Sequence, residues 1–298
     1  MSDVGATLKL RRSTTPILGA FDRGGATLQR RMRDVLVGSS ALLAPAVVLD
    51  LWVTVVAFDR FDPNETFLPT ASRGTTGTGV EDVSVWLAVS FVGLATAVVG
   101  SFTAQILIGE RFGSPLSLRR ALVATLRRGP GIAFLWLLTH WWVPVASLVV
   151  VTAESEATGA LVVLYLLGAA VASTFTLLAV PAMVGEGLRP LPAALRAFRL
   201  ARARLGVCLG FVLLSTVLAG AFLFGLATLA PLLEVTGFVR LGGAAWIVQG
   251  ILVQSGVLLV VPLVGLGTAQ LYVEVRLDAE GLDLVVDADA AFGSRATS

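Results

Sequence analysis

Histidine, cysteine and lysine are almost missing: the chain of 298 residues has one of each, His140, Cys208 and Lys9. A single cysteine, set in an apolar run, makes neither an intrachain disulfide nor a cysteine-based metal site. A single histidine excludes a multi-histidine metal centre, and no HExxH motif occurs. A Ser-His-Asp arrangement would have to use His140, and no serine sits in a nucleophile elbow. A phosphate-cradling loop needs a lysine behind its glycines, and the glycine-containing "GFVRLGGAAW" (237–246) has none. No metal, no cofactor and no catalytic residue is expected, and the chain reads as a protein that is not an enzyme.

Charge is scarce as well. Only 14% of residues are charged, against roughly 25% in soluble domains. Hydrophobic residues make up 56% and the mean hydropathy is +0.86. Apolar runs of about 20 residues recur, each long enough to cross a hydrocarbon core of about 30 Å as a helix. The expected fold is an all-α integral membrane protein with six spans, near residues 34–58, 81–108, 131–152, 159–183, 206–233 and 243–271. Residues 1–33 form an N-terminal cytoplasmic segment, 34–271 the membrane domain and 272–298 a cytoplasmic tail. Residues 1–33 are polar and arginine-rich and lack the apolar run of a cleaved signal, so the first span is expected to serve as its own insertion signal.

Six spans put both termini on one side. That side would hold 19 Lys and Arg residues, and the other only Arg60, Arg73 and Arg240. Because cytoplasmic loops carry the excess of Lys and Arg, both termini are expected in the cytoplasm, as in a multi-pass protein of the cell's inner membrane. The formal net charge of +2 and pI near 9.2 do not indicate nucleic acid, since nearly all basic residues sit beside spans. The outer segment 59–80 ends in "TASRGTTGTG", a composition that reads as a connecting loop.

A shift of 76 positions lays "GERFGSPLSLRRALVATLRR" (109–128) on "GEGLRPLPAALRAFRLARAR" (185–204), matching Glu110 with Glu186, Arg120 with Arg196, Ala121 with Ala197 and Arg128 with Arg204. "PILGAFDRGGATLQRR" (16–31) is a weaker third copy. The expected plan is three hairpins, each preceded by a basic amphipathic interfacial helix. In the second such helix Leu118, Leu122 and Thr125, with Ala121 and Leu126, share a face away from Arg119, Arg120 and Arg127. In the third, Leu191, Leu195, Phe198 and Leu205 recur at helical spacing, with Arg196, Arg199 and Arg204 off that face. Such helices lie in the membrane plane with arginines toward phosphates. These arginines read either as topology determinants and anionic-lipid anchors or as a docking surface for an acidic cytoplasmic or membrane protein partner. In the first copy, Gly24 and Gly25 weaken the helix.

The residues Pro181, Glu186, Gly187, Leu195 and Arg196, with the basic helix behind them, resemble the "P…EG…ALR" pattern of a broad group of bacterial six-span proteins, among them the membrane domain of some glycerophosphodiester phosphodiesterases. The segment "LYVEVRLDAEGLDLVV" (271–286) is similar to the tail of actinobacterial members, through Tyr272, Arg276, Glu280, Gly281, Leu282 and Asp283. Glu274 stands where that pattern has an aspartate. The resemblance implies a six-span membrane protein, and it does not carry phosphodiesterase activity, which resides in a separate soluble barrel.

Within the spans, Asp50, His140, Gln249 and Gln254 are the polar residues at depth. An aspartate at mid-bilayer costs about 2.5 to 3.5 kcal/mol on insertion scales, so such groups usually face the bundle and find partners. They read as an interhelical hydrogen-bond cluster, or as a proton or solute pathway. Gly206 and Gly210 form a GxxxG that permits close helix approach. In the tail, Val273, Val275 and Leu277 alternate with polar neighbours and Leu282, Leu284 and Val286 resume after a turn-like stretch, which suggests a short β-hairpin. The functional expectation is a membrane subunit or scaffold for an envelope-related partner, the alternative a small transporter or lipid-handling protein using the polar cluster. Cysteines introduced at Ser72 or Ser155 are expected to react with an impermeant thiol reagent on intact cells and one at Ser114 to stay unlabelled; the reverse pattern would overturn the orientation.

Overall fold

A computed structural model describes residues 15–58, 79–142, 145, 158–241 and 245–281, with side chains for 15–49, 90–142, 145, 163–241 and 248–281. All regular structure among these residues is helical. The helices are α1 (Pro16–Arg30), α2 (Met32–Phe58), α3 (Gly79–Arg111), α4 (Leu118–Arg127), α5 (Gly129–His140), α6 (Thr158–Thr176), α7 (Ala179–Gly185), α8 (Pro190–Ala203), α9 (Leu205–Val235) and α10 (Ala245–Glu280). Among the described residues, five stretches are long and apolar enough to cross a membrane: Met32–Leu49, Ser90–Arg111, Val163–Gly185, Leu205–Val235 and Val248–Glu280. The count is six if α4 and α5, bent by 59° at their junction, form one span.

Local chemistry accounts for several of the breaks. Pro130 has no N–H for the Leu126 carbonyl and its ring crowds that carbonyl, so α4 cannot run straight into α5. Pro181 acts the same way on Leu177, and the Val163–Gly185 stretch is interrupted at residues 177–178. After α3 the chain turns through Gly113 at φ +70°, and after α7 through Gly187 at φ +64°, a left-handed conformation that favours glycine.

Three times a short helix is separated from the longer helix behind it by a single arginine: Arg31, Arg128 and Arg204. Each of these arginines reaches a segment further along the chain. Arg31 donates to the Leu116 carbonyl ahead of α4 (2.7 Å), Arg128 to the Val184 carbonyl in α7 (3.3 Å), and Arg204 pairs with Asp278 in α10 (2.9 Å).

The core lies at one end of the bundle. There α10 packs against α1, α2, α3 and α9, and α3 packs in turn on α2 and α7. Phe102, Ala104, Ile106 and Leu107 of α3 and Leu266, Ala269, Leu271 and Tyr272 of α10 are buried, together with Ala121 of α4 and Ala193 and Ala197 of α8. Away from this end the helices present large apolar side chains outward, among them Leu164, Leu167 and Val171 of α6 and Val217, Leu218 and Phe222 of α9. With no water-compatible coat, such surfaces belong against lipid tails.

The hairpin expected from Val273, Val275 and Leu277 is not formed. The last spanning helix continues without interruption to Glu280, and all three residues are buried. Residues two apart point to opposite sides of a helix, so their joint burial means that α10 is enclosed on every side here. The alternation that looked strand-like comes from Glu274, Arg276 and Asp278, each held in an ion pair. The second half of the expected hairpin, 282–286, lies outside the described residues.

Glycine explains how α1 comes so close to α10. A Cβ on Gly24 would lie 3.0 Å from the backbone nitrogen of Gly267, whereas one on Gly25 would meet nothing. Beside this crossing Phe21 stacks on Phe211 with ring centroids 4.7 Å apart. In the GxxxG of α9, Gly210 makes room for Ile17 of α1, since a Cβ would lie 2.7 Å from its Cδ1, while Gly206 faces open space. Gly24→Ala is therefore expected to destabilise the protein by about 1 to 3 kcal/mol through overpacking, and Gly25→Ala to be neutral or to stabilise by up to about 1 kcal/mol through helix propensity. Thermal unfolding of the two variants in detergent checks this, and equal effects at both positions would contradict the close crossing.

Candidate functional site

Among the described side chains, the polar residues expected at depth make no hydrogen bond to one another. His140 ends α5, where its Nδ1 meets the Thr139 hydroxyl at 2.7 Å and its ring stacks parallel to Trp136 at 6.0 Å. Gln249, on α10, donates to the Ala227 carbonyl of α9 (2.7 Å). Gln254 is half-buried further along α10. The side chain of Asp50 lies outside the described residues, although its backbone belongs to α2.

Charged groups instead gather where α3, α7 and α10 end. Glu186, in the turn after α7, accepts a hydrogen bond from the Tyr272 hydroxyl at 2.6 Å and from Arg196 Nε at 3.0 and 3.1 Å. Arg196 also donates to Glu280 Oε2 (2.7 Å), which accepts in addition from Arg276 Nε (3.0 Å). The Arg276 guanidinium lies 5.6 Å from the centre of the Tyr272 ring and 3.6 Å, through Nε, from Glu186. Two guanidiniums thus face two carboxylates, leaving no net charge in this cluster. Burial alone would lower the pKa of Arg196, but its hydrogen bonds to Glu280 and Glu186 outweigh that and raise it above the ordinary arginine value.

A second cluster ties α1 to α3 and α10. Glu274, almost wholly enclosed, pairs with Arg23 of α1. Gln270 donates to Glu274 Oε1 (2.8 Å) and accepts from Arg111 Nε (2.9 Å). Glu110 accepts two hydrogen bonds on one oxygen from Arg30, at 2.6 and 3.0 Å, while its other oxygen is buried without a partner. Gln105, deeper in α3, donates to the Thr125 hydroxyl of α4 (2.7 Å).

The matched carboxylates therefore have different partners: Glu186 binds Arg196 of the short helix behind it, and Glu110 binds Arg30 of α1, while Arg120 is exposed. The arginines expected at a lipid or partner surface divide in two. Arg196 and Arg204 are taken up by intramolecular carboxylates. Arg119, Arg120, Arg127 and Arg199 are exposed, and Arg202 joins them.

Sequence reasoning missed Gln105 and Gln270, and singled out Tyr272 only through the tail resemblance, without its partner Glu186. A readable signal existed for the first two, because Gly100, Thr103, Ala104, Gln105 and Arg111 recur as Gly265, Thr268, Ala269, Gln270 and Arg276, a shift of 165. The two copies touch: a Cβ on Gly265 would lie 2.5 Å from Thr103 Oγ1 and 3.5 Å from the Gly100 Cα.

Among the described residues no group of three or more His, Cys, Asp or Glu side chains is placed to hold a metal ion. The clusters are built to hold helix ends in place, because every carboxylate in them is met by a guanidinium. No protein-family model, curated protein or solved structure matches the chain.

A double-mutant cycle over Tyr272→Phe and Glu186→Gln is expected to give a coupling of about 1.5 to 3 kcal/mol, the range for hydrogen bonds to a charged group. The readout is unfolding of each single variant and of the double variant. Additive losses would show that the 2.6 Å contact contributes nothing of its own.

Proposed function

We propose that this chain is a non-enzymatic polytopic membrane protein that serves as a membrane subunit or scaffold, meeting anionic headgroups and an envelope-related partner through its arginine-bearing end. The observation that carries the reading is the division of the arginines. The carboxylates of the two clusters are occupied by Arg23, Arg30, Arg196 and Arg276. Arg119, Arg120 and Arg127 on α4, with Arg199 and Arg202 on α8, are left outward. Beside them stand exposed apolar side chains, Val123 and Leu126 on α4 and Leu191, Leu195 and Phe198 on α8.

The buried residues of the same two helices are mostly small: Ala121 and Thr125 on α4, and Ala193, Ala197 and Ala201 beside Leu200 on α8. A helix with a small buried face and an outward face of leucines and arginines suits the plane of a membrane surface, apolar side in the acyl boundary and guanidiniums among phosphates. Phe198 stacks on Phe175 of α6 (5.0 Å), so the outward face of α8 adjoins the apolar flank of a spanning stretch. On this reading the arginine-rich end is cytoplasmic, α1, α4 and α8 are the three interfacial helices, and α4 with α5 supplies the sixth span. The resemblance to the membrane domain of glycerophosphodiester phosphodiesterases supports the same plan.

A transporter or lipid-handling role is the second reading, favoured by the 59° break between α4 and α5, since transporters use interrupted helices. Against it stand the local partners of His140 and Gln249.

Neutralising Arg119, Arg120, Arg199 and Arg202 to glutamine is expected to weaken retention of anionic lipid by the purified protein, each charge near an anionic surface contributing about 1 kcal/mol. In-membrane crosslinking with mass spectrometry, run beside it, is expected to lose the same protein partner. Unchanged lipid retention and unchanged crosslinks in the quadruple variant would remove the proposal.

A further inference from the structure

Arg111 is the last residue of α3, and its side chain is half-buried. Its Nε donates to Gln270 Oε1 at 2.9 Å. Its two terminal nitrogens make no hydrogen bond or ion pair among the described residues, and they are not enclosed atoms. An arginine in this position ordinarily serves the last carbonyls of its helix. Here those carbonyls are occupied: Ile108 accepts from Phe112 N (3.0 Å), Gly109 from Ser114 N (2.8 Å) and Glu110 from Gly113 N (3.4 Å).

The charged groups acting on Arg111 are Arg23, Arg30, Glu110 and Glu274. Glu274 already holds Arg23, and Glu110 holds Arg30. Among the described residues, the three guanidiniums of Arg23, Arg30 and Arg111 stand against the two carboxylates of Glu110 and Glu274. A half-buried guanidinium with no carboxylate in direct contact is unfavourable, and its two terminal nitrogens form a fork that suits an oxyanion in two-point contact. Arg111 also closes the apolar stretch Ser90–Arg111, which puts it where hydrocarbon gives way to headgroups.

We propose that Arg111, flanked by Arg23 and Arg30, binds one phosphate group, carried by a phosphodiester lipid headgroup or free in solution. The lipid as carrier rests on the membrane-surface reading above; the charge arrangement does not.

The test uses the full chain purified in detergent, with phosphatidylglycerol and inorganic phosphate as separate probes, read by native mass spectrometry and thermal shift. Wild type is expected to bind phosphatidylglycerol about tenfold more tightly than Arg111→Gln, the loss expected for one charge-assisted contact. Arg240→Gln, exposed in the turn after α9, is expected to bind as wild type does. Should inorganic phosphate alone stabilise wild type and not Arg111→Gln, while phosphatidylglycerol binding is equal in the two, the site is one for free phosphate. Equal responses of wild type and Arg111→Gln to both probes would overturn the proposal. If Arg111→Gln does not fold, Arg111→Lys decides, because it keeps the charge but loses the fork: intermediate binding supports the site and unchanged binding overturns it. The quadruple variant at Arg119, Arg120, Arg199 and Arg202 leaves Arg111 intact, so failure of the surface reading and failure of this site give different results.

Discussion

From Leu266 to Val275, α10 is enclosed on all sides, and much of the structure is the consequence of satisfying that enclosure. A helix turns through every direction in 3.6 residues, so an enclosed helix has no face on which an unsuited side chain can be put. Between Gly265 and Leu277 every position except Thr268 is resolved in one of three ways. Gly265 and Gly267 let α3 and α9 approach, since Cβ atoms there would meet Thr103 and Phe211. Leu266, Ala269, Leu271, Val273, Val275 and Leu277 fill space. Gln270, Tyr272, Glu274 and Arg276 are met by polar partners from α1, α3, from the Glu186 turn or from α10 itself.

The neighbours inherit constraints from this. Arg23 has to sit where Glu274 is, which requires α1 to cross α10 closely, and the crossing in turn requires glycine at position 24. Glu186 has to reach Tyr272, which the left-handed turn at Gly187 helps to arrange. An unpaired buried carboxylate would be worth several kcal/mol of destabilisation, so the sequence positions of Arg23 and Arg196 are as tightly determined as those of the core leucines. The ion pairs specify which helix ends meet; the apolar contacts supply the attraction.

Much of the architecture was legible because long apolar stretches and arginine clusters are strong signals. Helices begin and end within a few residues of the expected spans at 34–58, 81–108, 206–233 and 243. What could not be read was pairing between distant segments. The amphipathic pattern of α4 matched in part, since Ala121 and Thr125 are buried and Leu118 and Leu122 pack on the core while Leu126 is exposed; on α8 Leu191 and Leu195, which dominated the reading, are exposed, and Ala193, Ala197, Leu200 and Ala201 are buried. Period-two alternation at 273–277 mimicked a strand because ion-paired residues happen to fall between enclosed aliphatic ones. The glycines of α1 looked like weaknesses because the helix they admit lies more than 200 residues away in the chain. The repeat at a shift of 165 marks Gln270 without indicating its partners, and Tyr272 carries no local mark of Glu186.

Counting arginines and asking what they are free to do are separate questions. The positive-inside tendency counts Lys and Arg near the spans and gives little weight to acidic neighbours, so the pairing of Arg23, Arg30, Arg196 and Arg276 leaves the expected orientation unchanged. Attraction to an anionic surface depends instead on net local charge. There the paired arginines nearly cancel, while Arg119, Arg120 and Arg127 on α4 and Arg199 and Arg202 on α8 are exposed and contribute to the field outside the protein. These two groups sit on helices whose inward faces are fixed by alanines against the core. A surface charge carried on a rigidly seated helix keeps its spacing, which is what recognition of a patterned partner, lipid or protein, requires of it.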